Sequence, residues 1–160
     1  IYFVIINSSE HVEVVRSIVL TTGHLVVILS QIPTILLATG ERGKINQLLC
    51  PKFGGFLTLC TFDSNKKSGS GQLTLSEVTK VYQAGRVNKD TEVFGLISCP
   101  VHHSKGPIIH NAAFSETSYN GIYLPFLVDN RSSFLVRTMI SSFLDSGKEM
   151  TFLLLSCIQM

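Results

Sequence analysis

Short runs of consecutive apolar residues alternate with helix-like segments along this 160-residue chain. Four such runs occur: IPTILLATG (32–40), FLTLCTF (56–62), VFGLISCP (93–100) and GIYLPFLVD (121–129). A strand that is apolar throughout suits a parallel sheet covered on both faces, and Pro33 stands near the start of its run, where a strand tolerates it. Strands that alternate with helices in this way predict the α/β class with parallel sheets.

The segments between these runs predict helices and loops. Residues 73–85, LTLSEVTKVYQAG, predict a helix with Thr74 and Glu77 at capping-box spacing and Gly85 at its end. Pro107 suits the first turn of a helix over 107–118. The other predicted segments are a buried helix or helix pair over 10–31, a short helix over 44–55 stopped at a proline and two glycines, a polar linker over 86–92 and a helix over 132–148.

Composition disfavours several classes of protein. A hydrophobic content of 45% is ample for a buried core and argues against disorder. The net charge of +2 is spread without basic runs, so we expect no nucleic-acid surface.

Four cysteines without a CxxC pair indicate buried thiols in a reducing compartment. The apolar stretch 24–40 is interrupted by Gln31 and Pro33, so we expect no membrane span. Because the chain begins at Ile1, we expect an internal piece in which a targeting segment would not be visible.

The segment CPVHHSKGPIIHN (99–111) is the densest in reactive side chains, and three interpretations of it are open. Cys99 and the three histidines offer zinc ligands, but His102 and His103 are adjacent and point in different directions, so we expect no metal site. The segment follows a predicted strand and leads into a helix, where the Ser104 hydroxyl and backbone amides can bind a carboxylate or phosphate. The third interpretation is a plain helix cap with solvated histidines.

Longer stretches around this cluster resemble two enzyme families. VFGLISCPVHHSKGPIIHNAAF and NGIYLPFLVD resemble the start of shikimate dehydrogenases, whose signature is close to G-x-P-V-x-H-S-x-S-P-x-x-H-N. ATGERGKINQLLCPKFGGFLTLCTF and SGSGQLTLSEVTKVYQ resemble the end of type I 3-dehydroquinate dehydratases, which read close to M-G-x-x-G-x-x-S-R, F-G-G-x-x-T-F-G and S-A-P-G-Q. Joined in this order, the two parts are similar to the bifunctional dehydratase–dehydrogenase family of plants. The resemblance covers Gln31 to Asn130.

This resemblance implies an architecture within the α/β class. We expect an incomplete TIM-barrel end, made of the last βα units, followed by the start of the dehydrogenase substrate-binding domain. The corresponding boundaries are 1–85 for the dehydratase part, 86–92 for a linker and 93–160 for the truncated dehydrogenase part. A closed barrel of eight βα units needs about 250 residues, so two units cannot form one. The resemblance also implies a chloroplast location.

The resemblance further implies residues that bind substrate. In the dehydrogenases two serines hold the shikimate carboxylate; Ser104 matches the first, and Gly106 stands where the second would be. One charge-assisted hydrogen bond is thereby lost, on the order of 1.5–3 kcal/mol, and restoring a serine at 106 is expected to add about tenfold in affinity. His103 is expected to support this loop. Ser68 and Gln72 match the dehydratase loop that closes over substrate.

No catalytic residue is expected in this chain. The dehydratases use a lysine to form a Schiff base, yet no lysine precedes Lys44, and the arginine of their carboxylate clamp falls on Gln47. The catalytic N-x-T-x-P-x-K motif and the NADP-binding half of the dehydrogenases do not follow Asn130. We therefore expect neither reaction, no bound NADP, and weak binding of a shikimate- or dehydroquinate-like acid. The alternative is a non-catalytic module that binds such an acid or an intact homologue.

Overall fold

Parallel strand pairs organise both halves of the chain. The computed structural model describes residues 2–6, 34–38, 40–41, 43–67, 69, 71–98, 101, 103–127 and 153–154. The chain divides into two compact units, Ile1–Thr91 and Glu92–Met160. The α/β class predicted from the alternating apolar runs is confirmed. The helices predicted over 10–31 and 132–148 lie outside the described residues.

The first unit contains strands β1, Tyr2–Ile6, and β2, Thr34–Ala38. They pair in parallel, with Tyr2 opposite Thr34 and Ile6 opposite Ala38. Strand β2 confirms the strand predicted over 32–40 and begins directly after Pro33, whose missing N–H would weaken a strand interior.

Helix α1, Gly43–Leu49, follows β2 and buries most of its side chains. It passes into a 3₁₀ turn, Cys50–Phe53, in which Pro51 cannot donate a helical hydrogen bond. Gly54 ends the turn with φ of 88°, a left-handed conformation that glycine adopts without steric cost. The short helix predicted over 44–55, with its stop at the proline and the glycines, is therefore confirmed.

The strand predicted over 56–62 is wrong. Within the described residues, Thr61 alone in this run pairs with another backbone segment, through a parallel bridge to Thr74. The Thr58 hydroxyl donates to the carbonyl of Gln47, and Phe62 is 90% exposed. A strand exists only where a neighbouring backbone pairs with it, and an apolar run does not reveal whether that neighbour is present.

The capping box predicted at the start of 73–85 is confirmed. The Thr74 hydroxyl accepts from the Glu77 N–H at 3.2 Å, and the Glu77 carboxylate accepts from the Thr74 N–H at 2.7 Å. The helix beyond it is short, because Glu77–Val81 form a π-helical turn that ends at Tyr82. Gly85 does not end the helix as predicted; Gln83 does so, in a left-handed conformation with φ of 50°.

The segment predicted as a linker is anchored to the first unit. Val87 and Thr91 are buried, and Lys52, which is only 4% exposed, donates from Nζ to the carbonyls of Lys89 (3.0 Å) and Thr91 (2.8 Å). Two carbonyl partners offset part of the cost of burying an ammonium group. Because this anchoring uses backbone oxygens, the polar composition of 86–92 gave no sign of it.

The second unit is built on three parallel strands. Strand β3, Glu92–Ser98, lies between β4, Gly121–Leu127, and β5, Leu153–Leu154, and helix α2, Gly106–Glu116, connects β3 to β4. β3 and β4 pair from Glu92 opposite Gly121 to Ser98 opposite Leu127. The strands predicted over 93–100 and 121–129, and the helix that begins near Pro107, are confirmed.

Replacing Thr74 with Ala is expected to lower the free energy of unfolding of the first unit by about 1 kcal/mol, because the hydroxyl that accepts from the Glu77 N–H and donates to the Glu77 carboxylate is lost. Denaturation followed by circular dichroism measures this, with Ser76→Ala as the control, since Ser76 makes no cap hydrogen bond. An equal effect of both substitutions would contradict the cap assignment.

The same box predicts a pH dependence. Partial burial alone would raise the pKa of Glu77, but hydrogen bonds from Thr74 and the charges of Lys67 and Lys44 lower the pKa below its ordinary 4.5. A depressed folded-state pKa stabilises the fold above the unfolded pKa, and this stabilisation is lost as the pH falls through the folded value. The cost of Glu77→Gln should therefore be present at pH 7 and shrink below pH 4.5.

Candidate functional site

Ser104 lies in the turn between the end of β3 and the start of α2. Its N–H donates to the carbonyl of Val101 at 3.2 Å, and its Oγ accepts from the N–H of Gly106 at 3.1 Å. Val101 is buried and anchors the turn, whereas Ser104 is half-buried. Because Oγ accepts from the Gly106 N–H, its own proton points away from that bond.

The backbone amides at the start of α2 are already used within the turn. The N–H groups of Ile108 and Ile109 both donate to the carbonyl of Lys105, at 3.1 and 3.2 Å, the N–H of Gly106 donates to Ser104, and Pro107 has no N–H. The sequence analysis assigned anion binding to these amides together with the serine. The structure leaves side-chain hydroxyls as the better donors, because each of these first-turn amides has an internal partner.

The ring of Tyr123, from β4, lies directly over Gly106. A Cβ atom at position 106 would stand 2.7 Å from Tyr123 Cε1 and 3.2 Å from Tyr123 Cζ, and 3.1 Å from Ser104 Oγ. A separation of 2.7 Å is shorter than carbon atoms tolerate, so a serine at 106 would have to displace the ring. The expectation that Gly106→Ser simply adds one hydrogen bond therefore has to be revised.

Tyr123 is held on two sides by α2. The Asn111 side chain accepts from the Tyr123 N–H at 2.7 Å and donates to the Tyr123 carbonyl at 3.0 Å, and both residues are buried. His110 stacks on the Tyr123 ring, with centroids 4.4 Å apart. The sequence analysis missed Asn111 and Tyr123; the only sequence signal was the His–Asn pair that ends the dehydrogenase-like motif.

The three histidines and the cysteine of segment 99–111 fall partly outside the described residues. His103 is exposed and His110 stacks on Tyr123, while Cys99 and His102 are not described. Within the described part of the chain, no group of three or more His, Cys, Asp or Glu side chains could hold a metal ion. No described helix is long and apolar enough to cross a membrane.

In the first unit, the loop that contains Gln72 packs on the turn after β2. A Cβ on Gly71, whose φ is 79°, would collide with the carbonyl of Gly40. This close approach explains the glycine and brings the loop to the side where β2 passes into α1. Gln72 is half-buried next to it, and Ser68 lies outside the described residues.

Two amide side chains of α1 occupy the interior of the first unit. Gln47, at the position of the family arginine, and its neighbour Asn46 are 2% and 1% exposed. The Asn46 side chain has no hydrogen-bond partner for either polar atom within the described residues. Buried polar groups are normally hydrogen-bonded, so Asn46 is an unusual polar side chain in the interior of the first unit. The sequence analysis did not single out this residue.

Charged groups and a phenol lie close enough to Glu77 to interact with it electrostatically. Lys67, directly before Ser68, and Lys44 act on Glu77, and Lys44 also forms an ion pair with Glu41. Burial, with the charges of Glu77 and Glu41, raises the pKa of Tyr82 to about 12, so this phenol stays protonated at neutral pH. The described charges around Glu77 are therefore of both signs.

Comparison with known proteins gives matches to both halves of the chain. The sequence model of the type I 3-dehydroquinase family matches residues 15–89. The chloroplastic bifunctional 3-dehydroquinate dehydratase/shikimate dehydrogenase of Arabidopsis thaliana is 48% identical over 114 residues, which cover 71% of this chain and 19% of that protein. The shikimate dehydrogenase (NADP(+)) of Caldanaerobacter subterraneus is 46% identical over 41 residues, 26% of this chain and 15% of that protein.

A solved structure of the dehydroquinate dehydratase and shikimate dehydrogenase of S. pombe AroM covers 82% of this chain and 24% of its own, with 21% identity and a TM-score of 0.32, too low to bear on the fold. The chain thus spans about a fifth or less of the curated relatives cited. The order of the sequence matches nevertheless reproduces that of the bifunctional proteins. The chain is thus similar to parts of both domains of the bifunctional 3-dehydroquinate dehydratase/shikimate dehydrogenases.

Proposed function

We propose that the second unit binds the carboxylate of a shikimate-like acid at the turn between β3 and α2. The observation that carries this proposal is the geometry of Ser104, whose Oγ is fixed by the Gly106 N–H at 3.1 Å and whose proton is directed away from that bond. The turn lies beyond the carboxyl end of a parallel strand, where ligands of open α/β sheets collect. The relatives' names support a small acid as the ligand.

We further propose a substrate-binding role for the loop from Ser68 to Gln72, which belongs to the dehydratase-like part of the chain. There it would contact a dehydroquinate-like acid, in keeping with its position on the turn after β2. For the architecture we propose that residues 1–85 form the end of a dehydratase TIM barrel, residues 86–92 a linker, and residues 93–160 the start of the dehydrogenase substrate-binding domain. A chloroplast location is proposed from the plant relative.

The proposed role of this polypeptide is binding without turnover. Gln47 cannot form the charged, bidentate clamp that an arginine would. The sequences that follow β2 and β3 lack the three-glycine pattern that holds a dinucleotide. The described residues therefore do not fit NADP, and no hydride step is assigned to them.

Binding to an intact homologue is the second candidate function. It is favoured by apolar side chains exposed on the first unit, Phe56, Leu59 and Phe62, which are 57%, 40% and 90% exposed. Exposed apolar patches mark surfaces that another polypeptide covers. Co-elution with the intact bifunctional enzyme on size-exclusion chromatography would support this function, and independent elution would remove it.

Replacing Ser104 with Ala is expected to weaken shikimate binding by tenfold or more, because one charge-assisted hydrogen bond to the carboxylate is lost. Isothermal titration calorimetry of the folded variant measures this. The control is Ser115→Ala, which removes a hydroxyl from the last turn of the same helix. Unchanged affinity in Ser104→Ala would contradict the proposed site.

A further inference from the structure

The run FLTLCTF, residues 56–62, has backbone groups that can accept a further strand. Residues 57–60 lie between the turn at Gly54 and the bridge at Thr61 and form neither helix, turn nor bend. Within the described part of the chain, the backbone–backbone hydrogen bonds of this run are confined to Thr61, which donates to the Leu73 carbonyl at 2.9 Å and accepts from the Leu75 N–H at 2.7 Å. A row of unpaired N–H and C=O groups is a template for pairing with another chain.

One edge of the run lies against the first unit. Thr61 makes its two bonds along this edge, and the Leu57 carbonyl accepts from Cys50 Sγ at 4.0 Å. In an extended chain the backbone groups of successive residues point to opposite edges. The backbone groups of Thr58 and Cys60 therefore face the other edge, where neither residue makes a backbone–backbone bond to any described residue.

The side chains of the run favour an identical run as the partner. Phe56, Leu59 and Phe62 are exposed, and no residue from 56 to 62 is charged. In an antiparallel pair centred on Leu59, Phe56 lies opposite Phe62 of the second copy, and Leu59 lies opposite its own copy. Aromatic and apolar pairs across two strands are stabilising, whereas like charges in the same positions are destabilising. The first charged residue after the run, Asp63, would lie opposite Gly55 and so would meet no like charge.

This register uses the open edge of the run. With Leu59 on the two-fold axis, Thr58 lies opposite Cys60 of the second copy, and these two residues have the outward-facing backbone groups. Hydrogen-bonded and non-bonded pairs alternate along an antiparallel ladder, so the Leu59 pair is a non-bonded one, as the assignment of edges requires. Pairing about a two-fold axis is closed, so assembly stops at the dimer.

We propose that the run 56–62 is a self-association surface, at which a second copy of this chain adds its own run as an antiparallel strand. In strand addition, backbone hydrogen bonds provide affinity and alternate side chains provide specificity. The second copy supplies the neighbouring backbone without which the strand predicted over 56–62 does not form. Two short strands bury little surface, so the dimer is weak and depends on concentration. The inference goes beyond the proposed binding of a small acid and does not depend on it.

The test is sedimentation velocity of the full 160-residue chain over a series of concentrations. Leu59→Lys places like charges opposite each other across the two-fold axis and is expected to weaken dimerisation about tenfold, as is Leu59→Glu. An equimolar mixture of the two variants is expected to associate again, because opposite charges then face each other. Leu75→Lys is the matched control, since Leu75 is 43% exposed against 40% for Leu59, lies in the same unit and is outside the run.

Hydrogen exchange identifies the edge that pairs. The Thr58 and Cys60 amides should exchange more slowly as the concentration rises, while the Leu57 and Leu59 amides should not change. Circular dichroism checks that each variant is folded.

Three results would each overturn the inference: a parent that stays monomeric at every concentration, equal dimerisation of Leu59→Lys and the parent, or an equimolar mixture that stays monomeric. Open-ended aggregation of the parent would overturn it as well, because two-fold pairing is closed. A parent that is monomeric alone but co-elutes with the intact bifunctional enzyme would overturn this inference and leave the second candidate function standing. Acid binding at Ser104 is measured separately and stands or falls on its own.

Discussion

Replacement of Asn111 by Leu is expected to destabilise the second unit by about 2–6 kcal/mol, the largest effect expected of the substitutions proposed for this chain. Asn111 is 3% exposed and bonds both backbone groups of Tyr123, at 2.7 and 3.0 Å. Leucine has a similar volume but leaves a buried N–H and a buried carbonyl without partners, at about 1–3 kcal/mol each. Denaturant unfolding followed by circular dichroism measures the loss.

The control for this substitution is Glu116→Ala, at the exposed last residue of α2. It should change the free energy of unfolding by less than about 0.5 kcal/mol. Hydrogen exchange gives a local check, because the Tyr123 amide should lose its protection in Asn111→Leu. A variant with unchanged stability and a protected Tyr123 amide would show that Asn111 does not hold the edge of β4.

Replacement of Gly106 by Ala is expected to destabilise the same unit by about 1–3 kcal/mol, because the added methyl meets the buried ring of Tyr123 at 2.7 Å. Helix propensity alone predicts the opposite sign, since alanine stabilises a helix by up to about 1 kcal/mol relative to glycine. The sign of the measured change therefore separates the steric contact from propensity.

A double substitution tests the source of this cost. In Gly106→Ala combined with Tyr123→Leu, the ring is gone, so the penalty of the added methyl should fall below about 0.5 kcal/mol relative to Tyr123→Leu alone. The same penalty in both backgrounds would show that the added methyl does not collide with the Tyr123 ring. A stabilised Gly106→Ala would contradict the placement of Tyr123 over the turn.

Sequence patterns predicted correctly the strands and the helix cap that depend on residues close together in the chain. The runs at 32–40, 93–100 and 121–129 each contain a parallel strand, because a buried parallel strand must be apolar throughout. The capping box of Thr74 and Glu77 formed as predicted, since its hydrogen bonds join residues three apart. The run at 56–62 failed because pairing depends on a neighbour that the run does not encode.

The candidate site could be predicted only in part, because its decisive contacts are not local. Ser104 was singled out by its position between a predicted strand and a predicted helix, and a resemblance in sequence implied its role. The structure places it in that turn. Tyr123 reaches that turn from β4, and its link to Asn111 spans 12 residues along the chain. No spacing rule reveals that a tyrosine on one strand fills the space left by a glycine at a helix start.

Comparing shikimate with its methyl ester tests the binding claim most directly, since esterification removes the charge that Ser104 is placed to bind. With the 160-residue chain labelled with ¹⁵N, the account predicts saturable shifts of the Ser104 and Gly106 amides on addition of shikimate. The methyl ester should bind at least tenfold more weakly. Equal affinity for acid and ester, or shifts that leave both amides unmoved, would contradict carboxylate binding at this turn.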